Sequence, residues 1–215
     1  MKDSEESRTV FIVDDDASFL KSVSRLLRAS GFEVRTFESS EAFLAQLTPE
    51  LAGCVLADLR MPGIGGLELQ AALAQSANPL PVVFLSAQGD IPATVQAMRQ
   101  GAEDFLVKLG PKETLLAAIN RALARGERER EHRKHVRELR KRFETLSPRE
   151  TEVLELVLLG LMNKEIAARL GIHERTVKLH RTSLTTKLQA HSVVKLARLA
   201  AESGLFPPRQ TGQID

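Results

Sequence analysis

The feature that most constrains this chain is an alternation of short β-rich runs with helical ones. Val10–Val13, Phe32–Phe37, Cys54–Ala57, Val82–Leu85 and Phe105–Val107 are brief runs of branched and aromatic residues. Between and after them, Phe19–Leu27, Ala42–Leu47, Leu67–Leu73, Ala93–Met98 and Leu115–Leu123 carry apolar residues at helical spacing. Five strands alternating with five helices predict a doubly wound parallel sheet covered on both faces. In such sheets ligands bind at the carboxyl ends of the strands.

After this α/β front the pattern changes. Arg121–Arg142 is dominated by Arg, Glu, Lys and His and offers little face to bury apart from Val136, Leu139 and the following Phe143. It reads as a solvated helix continuing the fifth one, with Gly126 as a candidate break; a flexible charged linker is the competing reading. From Leu146 onward every pattern is helical. Ser147-Pro148-Arg149-Glu150 is a helix start, with Ser as cap, Pro at the first position and Glu completing a capping box. That helix is expected to reach Gly160. Three more follow at about 164–170, stopped by Gly171, 174–188 and 193–202. The expected division is 8–125, a linker helix over 126–144, an all-α four-helix domain over 145–204 and a disordered tail over 205–215.

Charge separates along the same line. Residues 1–126 hold 12 Lys+Arg and 16 Asp+Glu, and residues 127–215 hold 18 and 12. The basic back half therefore suits a polyanion, most simply nucleic acid. A membrane surface is disfavoured, because the chain has no Trp or Tyr to anchor an amphipathic helix. No apolar run approaches a membrane span, and the opening Met1-Lys-Asp-Ser-Glu-Glu is too polar for a secretion signal. One cysteine, Cys54, excludes an internal disulfide and fits a reducing, cytoplasmic setting; within Cys54-Val-Leu-Ala it reads as a core residue. The five histidines show no metal-ligand spacing and read as structural or solvent-facing.

The chemistry gathers at strand ends. The first strand leads into Asp14-Asp15-Asp16 and the third into Asp58, so carboxylates from two strands can meet at one rim. Clustered like charges are costly unless a cation neutralises them, and oxygen ligands at an open rim suit Mg²⁺. A carboxylate beside that ion can take a phosphoryl group. Ser86 ends the fourth strand and Lys108 follows the fifth, supplying a hydroxyl and a cation to the same rim. Taken singly, each of these residues is ordinary; the constellation is not.

Val13-Asp14-Asp15, Asp58-Leu-Arg-Met-Pro62, Ser86-Ala and Lys108 resemble the receiver domain of bacterial response regulators over residues 8 to about 124. The resemblance implies that Asp58 accepts the phosphoryl group. Asp14, Asp15, Asp58 and the Arg60 backbone carbonyl would hold Mg²⁺, with Asp14 acting through water or as a base, and the role of Asp16 is left open. Ser86 and the aromatic Phe105 would form the switch, and Lys108 would pair with the phosphoryl oxygens. One departure stands out. Receivers usually follow this lysine with a proline, often in cis, and here the text reads Lys108-Leu109-Gly110-Pro111. A cis bond without proline costs about 3 kcal/mol, so a trans peptide and a differently placed lysine loop are expected, which puts the Lys108 contact at issue.

Lys164–Val177 has the form of a helix-turn-helix, with small Ala167 at the crossing and Gly171 in the turn. On a helical wheel Val177, Leu184 and Leu188 form the core face of the next helix. Arg175, Lys178, Leu179, Thr182, Ser183 and Thr186 lie opposite, on a face suited to base edges and phosphates; Arg181 sits nearer the core side, as a phosphate contact. An ordinary solvated helix face is the plain alternative. Leu146-Ser-Pro-Arg-Glu150, Gly160–Ala167 and Thr176-Val-Lys-Leu-His180 resemble the LuxR-type output domain, so the whole resembles a FixJ/NarL-type response regulator. By that resemblance Lys178, Leu179 and Thr182 contact bases, and Lys164, Thr176 and Lys187 contact phosphates. The fourth helix of this domain would form a dimer contact.

The resemblance implies a two-component regulator rather than a dedicated enzyme. A sensor histidine kinase would phosphorylate Asp58; the receivers would dimerise through the helix of about 91–101 and the fifth strand; and the pair would bind double-stranded DNA and activate transcription with RNA polymerase. Two rivals are an Mg²⁺-dependent phosphohydrolase using the same aspartates, and a constitutive DNA-binding protein with an inert receiver.

Overall fold

The computed structural model describes residues 8–87 and 91–206. The chain divides into two compact units, 1–131 and 132–215. In the first the elements run β1 (Thr9–Val13), α1 (Ala17–Ala29), β2 (Glu33–Phe37), α2 (Ser40–Leu44), β3 (Cys54–Asp58), α3 (Gly66–Gln75), β4 (Val82–Ser86), α4 (Ile91–Arg99), β5 (Asp104–Val107) and the start of α5 (Lys112–Glu144). All strands are parallel, in the order β2-β1-β3-β4-β5. The fold is the doubly wound sheet that the alternation predicts, and it makes β1 and β3 neighbours.

The reason is visible residue by residue. Val10 and Ile12 of β1 face Leu20, Val23 and Leu27 of α1 and Ile119 of α5. Phe11 and Val13 face the other way, toward Phe43, Leu69, Leu73 and Ala97 of α2, α3 and α4. Each fully buried side chain of this kind contributes roughly 1.5–3 kcal/mol. Strands β1, β3 and β4 are buried at every position, whereas edge strand β2 is open at Glu33, Arg35 and Thr36. Cys54 is a buried free thiol whose pKa burial pushes up to about 12, so it packs as a core residue.

The second unit contains the end of α5, α6 (Pro148–Leu158), α7 (Asn163–Leu170), α8 (Glu174–Lys187) and α9 (Val193–Ser203). Val153, Leu154, Ile166, Val177, Leu184 and Leu196 fill its core. Ser147 caps α6 through the capping box with Glu150, and Gly171 ends α7 in the left-handed region at φ 64°.

Two boundary expectations change. Helix α5 runs unbroken through Gly126, because a hydrogen there lets the helix pass against Pro81: an added Cβ would lie 3.1 Å from Pro81 Cδ. The charged stretch continues α5, as its composition suggests, and its buried positions are apolar. Leu139 is only 2% exposed, and Phe143 enters the core of the second unit. Phe206, inside the tail expected over 205–215, packs tilted against Phe143 with ring centroids 5.4 Å apart; residues 207–215 lie outside those described. Among the described residues no helix is long and apolar enough to cross a membrane.

Candidate functional site

The parallel sheet brings the ends of β1, β3, β4 and β5 to one rim. Asp14 follows β1, Asp58 closes β3, Ser86 closes β4 and Lys108 follows β5. Carboxylate oxygens of Asp14, Asp15 and Asp58 lie within 4.8 Å of one another. Asp14 is 1% exposed, and burial raises its pKa against the pull of the neighbouring lysine. Its Oδ2 makes no well-directed hydrogen bond among the described residues, although the Lys108 ammonium sits 2.7 Å away. The same Nζ donates to Asp58 Oδ2 at 3.0 Å. Burial works against the lysine's charge, and its bonds to the two carboxylates more than offset this, so its pKa is raised.

The lysine therefore reaches the site despite Leu109, which is 96% exposed. No peptide among the described residues is cis. The lysine loop is held instead by Lys108 N–H on the Ser86 carbonyl, at 2.9 Å, and by Gly110 N–H on Val107. Ser86 is buried, and Phe105 is half-buried, with its ring 6.1 Å from Phe84. Arg60 is exposed just beyond Asp58. At Gly66 an added Cβ would lie 2.3 Å from the Asp58 carbonyl oxygen, so only glycine lets α3 start against the end of β3. Asp16, whose role the sequence left open, caps α1: its Oδ1 accepts from Ser18 N and Phe19 N, and these bonds lower its pKa.

In the second unit, α7, the Gly171 turn and α8 form the helix-turn-helix. Arg175, Lys178, Leu179, Thr182 and Thr186 are exposed along α8, Thr176 is half-buried, and Lys164 is exposed on α7. Three residues assigned to this surface are engaged elsewhere. Ser183 donates to Glu150 Oε1 at 2.6 Å, Lys187 donates to Glu150 Oε2 at 2.7 Å, and Arg181 donates to Asn163 Oδ1 at 2.8 Å. The wheel misplaces Ser183 because it ignores α6, whose buried Glu150 needs partners. Lys187 is thus tied into the domain through Glu150.

Comparison with known proteins agrees with both halves. Residues 10–120 match the response regulator receiver domain, and residues 144–200 match the bacterial regulatory proteins of the luxR family. The chain is 42% identical to nodulation protein W of Bradyrhizobium diazoefficiens, over 91% of this chain and 86% of that protein. It is 37% identical to the transcriptional regulatory protein FixJ of the same species, over 92% and 96%. Among solved structures, the response regulator StyR matches with a TM-score of 0.79 and 45% identity, over 90% of this chain and 98% of that one.

The chain belongs to the two-component response regulators with a LuxR-type output domain. In this regulator Asp14, Asp15, Asp58 and Lys108 meet at one rim, and Arg175, Lys178, Leu179, Thr182 and Thr186 are exposed on α8. Two features escaped the sequence reading. Phe19, in the first turn of α1, lies under Lys108, with Nζ 4.4 Å from the ring centroid; its position just after the aspartate triplet was the available signal. The Glu150–Lys187 link joins residues far apart in sequence, and no local spacing announces it.

Proposed function

We propose that phosphorylation of Asp58 switches this regulator into a DNA-binding dimer. The observation that carries the reading is the convergence of Asp14, Asp15, Asp58 and Lys108 at one rim. The donor set is oxygen-only, and three carboxylates within 4.8 Å of one another favour a cation. Asp14, Asp15, Asp58 and the Arg60 carbonyl would hold Mg²⁺, which supplies charge neutralisation for phosphoryl transfer. Asp58 is the nucleophile, Lys108 pairs with the phosphoryl oxygens, and Ser86 and Phe105 report the modification to the surface of α4 and β5. The donor is a sensor histidine kinase or a small acyl phosphate.

Exposed Ile91, Val95 and Met98 on α4 and Val107 on β5 support pairing of two receivers through that surface. Pairing makes the second DNA contact effectively intramolecular, so modest affinity per domain suffices. On DNA, Lys178, Leu179 and Thr182 read bases, while Lys164, Thr176, Arg175 and Thr186 position the helix on the backbone. Exposed Val194 and Ala197 on α9 favour a contact between output domains. The regulator acts in the cytoplasm as an activator working with RNA polymerase. DNA affinity measured with and without acetyl phosphate tests this scheme. Affinity should rise for wild type and stay unchanged for Asp58→Asn; affinity indifferent to the donor in both proteins would favour a constitutive binder.

A further inference from the structure

Lys108 lacks the proline that would fix its loop, and Leu109 packs against nothing that could do so, being 96% exposed. What holds the ammonium besides the carboxylates is Phe19. Its ring is half-buried against the core, and Lys108 Nζ stands 4.4 Å from the ring centroid, within the range of a cation–π contact. The ring is itself fixed from the site. Asp14 Oδ1 accepts from Asp16 N at 3.0 Å, Asp16 Oδ1 accepts from Phe19 N at 3.1 Å, and Lys108 closes the circuit back to Asp14 Oδ2 at 2.7 Å. The lysine side chain is 14% exposed, so the ring acts on a largely desolvated charge.

We propose that Phe19 is a positioning residue for Lys108 in phosphoryl transfer to Asp58, an inference that rests on the Asp58 reading above. A ground-state lysine shared between two carboxylates must follow the charge when phosphorylation begins. An Asp58 oxygen then forms a bond to phosphorus, the bond from phosphorus to the acetyl oxygen breaks, and acetate departs with the electron pair. The contact of the ammonium with Asp58 weakens as Asp58 becomes an acyl phosphate, and Asp14 would in addition be shared with a metal ion held at the rim. The face of Phe19 takes no part in the charge change, so it keeps Nζ within reach of the new phosphoryl oxygens.

The test uses the full chain with Mg²⁺ and acetyl phosphate, comparing wild type, Phe19→Leu and Phe19→Tyr, each with Lys108 and with Lys108→Met. Leucine keeps apolar bulk without a π face, and tyrosine restores the face. Phe19→Leu should slow phosphoryl uptake about fivefold, Phe19→Tyr should stay within about twofold of wild type, and the difference should vanish in the Lys108→Met background. A second readout is independent of activity. The Lys108 ε-CH₂ proton resonance, identified by its loss in Lys108→Met, should be shifted upfield by the ring in wild type and Phe19→Tyr but not in Phe19→Leu. Wild-type uptake by Phe19→Leu, equal slowing with Lys108→Met, or an unshifted ε-CH₂ in wild type would overturn the proposal. If wild type itself takes up no phosphoryl group from any donor, the Asp58 reading fails and this inference fails with it.

Discussion

Lys187, at the end of α8, places its ammonium 2.7 Å from Glu150 Oε2 at the start of α6. Ser183 Oγ and Ser147 N–H complete the shell around this carboxylate, whose side chain is 6% exposed. The lysine bond, followed by that of Ser183, lowers the Glu150 pKa to about 2. A carboxyl held below its ordinary 4.5 stabilises the fold above that pH, and the contribution disappears as pH falls toward 2. Urea unfolding of the output-domain transition should therefore show wild type ahead of Glu150→Gln at pH 6. The two should converge between pH 4.5 and about 2. A constant gap across that window would contradict the assignment.

The same contact gives Lys187 and Lys164 opposite expected effects. Lys187→Met should cost about 2 kcal/mol of stability, because a buried carboxylate loses its charged donor. It should leave the salt dependence of DNA binding unchanged. Lys164→Ala should do the reverse, keeping the melting temperature and lowering the slope of log affinity against log salt by about 0.9. Denaturation and salt titration of both variants check this.

Removal of Mg²⁺ should be visible without any phosphodonor. An ion bound by the folded acidic rim raises the melting temperature according to its occupancy, about 2.7 kcal/mol at a hundredfold excess over Kd. Asp14→Asn and Asp15→Asn should lose that gain. A Mg²⁺ response retained in both would place the ion elsewhere.

At Gly126 the usual helix rule should fail. Alanine in a helix interior normally gains about 1 kcal/mol over glycine. Here the new Cβ would press on the Pro81 ring at 3.1–3.2 Å and on the Gly53 carbonyl at 3.3 Å, neither of which yields easily. Gly126→Ala should destabilise the receiver by about 1–2 kcal/mol, measured by thermal unfolding.

Much of this was legible from local pattern. Val10–Val13, Cys54–Ala57 and Val82–Leu85 mark their strands because burial on both faces demands continuous apolar runs, and the acidic and hydroxyl residues of the site fall at their ends. The Ser147–Glu150 capping box is a purely local signal, and the structure forms it. What was not legible depends on distance in sequence. The Gly126 break failed because the glycine answers to Pro81, not to its own helix. The partner of Phe143, at the end of the charged stretch, was equally hidden, since that ring packs in a core whose next buried member, Val153, lies 10 residues further on. Ser183 and Lys187 look like a DNA face until Glu150 is placed beside them, and the Phe19 ring gains meaning only once β5 brings Lys108 above it.

The most direct test of the central claim is the site of phosphorylation. Wild type and Asp58→Asn should be incubated with Mg²⁺ and acetyl phosphate, or with a partner kinase, and resolved on a phosphate-affinity gel. A retarded band in wild type that EDTA abolishes and Asp58→Asn lacks is the predicted result. A retarded band of equal strength in Asp58→Asn would contradict the account, by placing the phosphoryl group on another residue.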